Sequence, residues 1–175
     1  MTQIALLALM VYAACGFIVS SAVHLLALAG LQPHDHVLMI GLTVGIFALW
    51  LPVTPILLKL GTGVSRKDVW KVLYSGCPTW MLHANKILNA YAIANFAIVT
   101  VMFFVLPTWL ASTDDVPRWF WLLFSSYMML FYFGGLGTLI TAQQKGYANL
   151  QLKCLNGHII GYSDRYCPTC GTPTR

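Results

Sequence analysis

The side chains able to do chemistry gather at the C-terminal end of the chain. Cys154, His158, Cys167 and Cys170 stand in the pattern C-x3-H-x8-C-x2-C. Two close pairs of thiolate and imidazole donors are what a tetrahedral structural zinc requires: each pair grips one side of the metal, and the segment between them turns the chain back. Four protein ligands close the coordination sphere and leave no position for the activated water of a hydrolytic site. A metal here would hold together a short segment that has almost no apolar core of its own.

Other candidates are scattered through apolar sequence. His24 reads as a hydrogen-bonded packing histidine in line with Gly16 and Ser20. The alternative, axial ligation of a haem by His24 and His83, puts the two rings on opposite sides of a hydrocarbon layer about 30 Å thick. Asn85, Asn89 and Asn95 read as amides that bond to neighbouring helices, with a polar path for an ion or small molecule as the alternative. Cys15 and Cys77 read as small buried apolar residues. His34, Asp35 and His36 read as a solvated turn. No nucleophile is paired with a base, so the expectation is a protein without enzymatic activity and without an identifiable small-molecule substrate.

The elements that must carry these residues follow from composition. The 175 residues are 58% hydrophobic and 9% charged, with mean hydropathy +0.73; soluble domains are about 25% charged. A soluble fold of this size cannot hide so much apolar surface, and the remaining solvent is a bilayer. Residues 4–31 contain no Asp, Glu, Lys or Arg. They lack the basic residues that precede a secretory signal and exceed its apolar length, so they read as a span. A turn at Pro33 leads to a second span over 37–58, with Gly41 and Gly45 in G-x-x-x-G spacing and Pro52 and Pro55 in its last turns. The third span, over 82–106, is the most polar, and the fourth covers 119–143, with a glycine cluster at Gly134, Gly135 and Gly137. Trp109, Trp119 and Trp121 flank the loop before it, as interfacial belts prefer.

Between the second and third spans the chain turns basic. Ser65 and Asp68 resemble a capping box and Val64 and Val69 a hydrophobic staple, which predicts an interfacial amphipathic helix over 62–76 with Arg66, Lys67 and Lys71 hydrated. Lys59, Arg66, Lys67, Lys71 and Lys86 lie in this segment, and Lys145, Lys153, Arg165 and Arg175 in the tail; only Arg118 falls on the other side. The positive-inside rule then places both termini and the basic loop in the cytoplasm of an inner membrane. Thiol ligands agree, since a reducing compartment keeps them unpaired.

The segments Cys154-Leu-Asn-Gly-His158 and Tyr166-Cys167-Pro-Thr-Cys170-Gly-Thr-Pro resemble the short zinc-ribbon modules of bacterial membrane and regulatory proteins, written C-x-x-G-H and F/Y-C-x-x-C-G-x-P. The resemblance covers residues 154–175. It implies that Cys154, His158, Cys167 and Cys170 are the four zinc ligands, that Gly171 lets backbone amides turn toward the sulfurs, and that Ile159 to Arg165 form the strand and turn between the pairs.

The sequence therefore predicts an all-α membrane protein: a four-helix transmembrane domain over 1–145, the interfacial helix, and a cytoplasmic zinc ribbon over 150–175. The expected role is an anchor, adaptor or accessory subunit in the lipid bilayer, joined to a cytoplasmic protein partner or to further copies of itself. A channel or transporter component using the third span is the runner-up. Nucleic-acid binding by the ribbon is a weaker alternative, since Lys153, Arg165 and Arg175 offer few phosphate contacts.

Overall fold

Four long helices and one short one account for almost all of the regular structure in the computed structural model, which describes residues 2–31, 36–61, 67–105, 118–145, 154–158 and 166–173. They are α1 (Gln3–Leu28), α2 (His36–Gly61), α3 (Val69–Leu73), α4 (Thr79–Val105) and α5 (Arg118–Gln144). At about 1.5 Å per residue the long helices each exceed the ~30 Å of a hydrocarbon layer. Among the described residues, α1, α2 and α5 are both long and apolar enough to cross a membrane. The bundle's outside is oily, with Ile4 82% and Leu51 76% exposed, a surface that only lipid solvates without cost.

Local signals set several helix ends. The Thr2 hydroxyl accepts from the Ala5 amide and caps α1. Gly30, at φ +82°, lets the chain fold back so that the Leu31 amide reaches the Leu26 carbonyl at 2.9 Å. The interfacial helix is shorter than the sequence predicts. Its described part is Val69–Leu73, and Asp68 makes no capping bond to its amides but binds Lys71 at 2.9 Å. Ser65 and Val64, the other halves of the predicted cap and staple, lie outside the described residues.

The bundle is organised around α5, which packs on α1, α2 and α4 and touches α3. In its most apolar stretch 56% of the residues are buried, against 17% in α1 and 22% in α2. Lipid tails are as apolar as leucine, so these helices gain by close packing and hydrogen bonds rather than by escaping water. Missing side chains provide the fit. Gly16 of α1 receives the Tyr132 ring, and Gly45 of α2 receives the hydroxyls of Tyr132 and Tyr12. Tyr132 then donates to the Leu42 carbonyl at 3.0 Å. Gly135 faces Leu49 and Gly137 faces Tyr74. The G-x-x-x-G pair of α2 is thus only half used, because among the described residues nothing lies within 4 Å of a β-carbon placed on Gly41.

The turn after α3 is pinned to the end of α5. Thr141 Oγ1 donates to the Leu73 carbonyl at 2.6 Å and accepts from the Gly76 amide at 3.3 Å. Cys77 Sγ faces the Gly137 carbonyl at 3.3 Å. Two aromatic and thiol expectations are corrected. Trp121 is only 2% exposed and packs edge-on against Phe124 inside the bundle instead of sitting in an interfacial belt. Cys15 is exposed on the outer surface of α1, where a small apolar thiol needs no burial in protein.

Gly16→Ala pushes a methyl into the buried Tyr132 ring and is expected to lower stability by about 1–3 kcal/mol. Gly41→Ala, with open space around it, leaves it within about 0.5 kcal/mol. Thermal melts of both variants in one detergent check the contrast.

Candidate metal centre

The C-terminal quartet is assembled from two backbone turns. In the first, the Gly157 amide bonds the Cys154 carbonyl and the Cys154 amide bonds the His158 carbonyl, both at 2.9 Å. In the second, the Gly171 amide bonds the Cys167 carbonyl and the Cys167 amide bonds the Thr172 carbonyl, both at 2.8 Å. Gly157 and Gly171 have φ of +80° and +69°, a left-handed region where a β-carbon is strained. An antiparallel bridge between Tyr166 and Pro173 closes the second turn. The predicted intervening strand, 159–165, lies outside the described residues.

These turns bring all four predicted ligands together. Their donor atoms lie within 4.8 Å of one another. Cys154 Sγ is 3.6 Å from both His158 Nδ1 and Cys170 Sγ, and Cys167 Sγ is 3.8 Å from His158 Nδ1. A tetrahedral ion with bonds of about 2.3 Å to sulfur and 2.0 Å to nitrogen needs edges of about 3.8 Å and 3.5 Å. The quartet has the size of such a coordination shell and can hold a metal ion. Cys154 and Cys167 are buried.

The electrostatics favour a cation. Hydrogen bonds from the Thr172 hydroxyl, 2.9 Å from Sγ, and from its backbone amide bring the Cys170 thiol down to about 5. For Cys154, burial acts upward but is outweighed by backbone bonds from Asn156 and His158, and the thiol is lowered. Bonds to Cys170 and Cys154 raise His158, while burial raises Cys167. Cys170 is thus poised as an anion, and a bound metal would displace whatever protons the other ligands carry. Thr172 was not singled out by the sequence; its place two residues after a ligand was the available signal. The rim of the site carries two exposed apolar side chains, Leu155 at 91% and Tyr166 at 64%.

No protein-family model, curated protein or solved structure matches the chain.

The other candidates have structural partners. His24 Nδ1 lies 2.8 Å from Ser125 Oγ, and Nε2 lies 2.6 Å from the Tyr91 hydroxyl. Ser125 Oγ is also 2.5 Å from the Trp121 carbonyl and spends its hydrogen there. This assigns Nδ1 as the donor to Ser125 and Nε2 as the acceptor from Tyr91. The chain of bonds ties α1, α4 and α5, while Ser20, in line with His24 on α1, bonds the Gly16 carbonyl at 2.7 Å. Of the asparagines, Asn89 bonds the Asn85 carbonyl of its own helix at 3.0 Å, and among the described residues Asn85 Oδ1 and Asn95 Nδ2 have no hydrogen-bond partner. Tyr91 and Ser125 were missed by the sequence reading because isolated hydroxyls in apolar spans are common. Tyr91→Phe, which removes one interhelical bond, is expected to cost about 0.6–1.7 kcal/mol, read as a lower melting temperature with metal content unchanged.

Proposed function

We propose that the chain is a four-span membrane anchor that presents a cytoplasmic zinc ribbon to a partner protein and has no catalytic role of its own. The observation that carries this reading is the closed quartet of Cys154, His158, Cys167 and Cys170 with Leu155 and Tyr166 exposed beside it. Three thiolates and an imidazole suit zinc, and four protein ligands suit a structural ion. Zinc would contribute folding energy to the two turns and hold Leu155 and Tyr166 outward as contact residues.

α4 serves as the remaining span. It has 27 residues, as many as α5, and its apolar stretch 87–101 is interrupted by Asn89 and Asn95. A fourth crossing returns the chain to the side of the basic loop, and it places nine of the ten basic residues on the cytoplasmic face.

Elemental analysis of the detergent-purified chain is expected to give about one zinc per polypeptide, lost in Cys167→Ser with Cys170→Ser; iron in place of zinc overturns the ribbon. Affinity capture with Leu155→Asp plus Tyr166→Ser is expected to lose a partner that the wild type retains, while zinc content and membrane insertion stay unchanged. Capture that survives these substitutions overturns the adaptor reading.

A further inference from the structure

The first turns of α4 carry three side chains used neither by the bundle's core nor by the metal centre. Trp80, His83 and Lys86 are spaced by three residues and form one outward ridge, climbing about 4.5 Å per step. All three are exposed, Trp80 at 61%. The same face continues upward with Ala90, Ala94 and Ala97, also exposed.

The bonds of Thr141 to Leu73 and Gly76 place the end of α5, the α3 turn and the start of α4 at one end of the bundle. Lys67, Lys71 and Lys145 are exposed at that end. Asp68 is the only acid among the described residues and is bound to Lys71 at 2.9 Å. Lys86 therefore lies two turns inside a long helix with no carboxylate facing it among the described residues. An ammonium at that depth turns its stem toward the headgroups and there meets phosphate.

We infer that Trp80, His83 and Lys86 form a binding site for the headgroup of an anionic phospholipid of the surrounding leaflet. Lys86 Nζ donates charge-assisted bonds to the phosphodiester, and a His83 ring N–H supplies a second donor. Trp80 sits at the glycerol level, where indoles prefer to lie. One acyl chain follows the exposed Ala90, Ala94 and Ala97, with Ile87 and Val101 exposed on the same apolar face. A zwitterionic lipid presents the same phosphate but adds an ammonium, which the lysines at this end repel; a free phosphate lacks the chain.

The test is native mass spectrometry of the full chain in detergent, titrated with phosphatidylglycerol and phosphatidylcholine of equal chain length. The wild type is expected to retain phosphatidylglycerol over phosphatidylcholine by on the order of fivefold. His83→Gln with Lys86→Gln brings the ratio close to one, and Lys86→Arg preserves it. Should the double variant fail to fold, Lys86→Gln alone is expected to lower the ratio. Equal retention of both lipids by the wild type overturns the site. So does an undiminished preference in a glutamine variant with wild-type melting, or a loss produced only by Lys67→Gln with Lys71→Gln.

Discussion

Tyr132 is the side chain on which the helix bundle depends. Its ring fills the space over Gly16 of α1, and its hydroxyl lies against Gly45 of α2 and bonds the Leu42 carbonyl. One residue of α5 thereby sets the approach of two other helices. In a bilayer there is little hydrophobic gain from pressing apolar helices together, so shape and buried hydrogen bonds must decide who neighbours whom. The rest of the bundle repeats the device at other levels. Leu49 lies over Gly135, Tyr74 lies over Gly137, and His24 is clamped between hydroxyls of α4 and α5.

The metal centre solves the opposite problem with a similar means. Among the described residues its shape comes from backbone turns rather than packed helices. Gly157 and Gly171 take conformations that other residues resist, and the amides they release close the turns behind the sulfurs. Thr172 then stabilises a thiolate before any ion arrives. A preset donor cage loses less entropy on binding a metal than a chain that must be gathered around it.

Much of this was legible in the sequence, and the failures share a cause. Spacing alone pointed to the four ligands, because coordination chemistry leaves few ways to arrange them. Uncharged runs of 20 or more residues pointed to long helices, because a bilayer permits little else. What the sequence could not reveal was which face of each apolar helix meets protein. Trp121 looked interfacial and is buried; Asn89 looked like glue between helices and bonds its own backbone; Gly41 and Gly45 looked equivalent and are not. In an apolar helix the hydrophobic pattern has no wet side to betray its orientation, and the partner is known only when the neighbouring helix is in place.

The position of α5 in the chain has a consequence for biosynthesis. Synthesis proceeds from the N-terminus at about 5–20 residues per second, and the helix on which the others pack is the last of the five to leave the ribosome. Until it arrives, α1 waits in the membrane with His24 lacking Ser125 and with Gly16 facing lipid. The early spans must therefore be held as individually stable helices and assembled afterwards. The four candidate ligands lie C-terminal to α5 and emerge after it, so a chain broken off before Arg118 lacks both the helix on which the others pack and the Cys/His quartet.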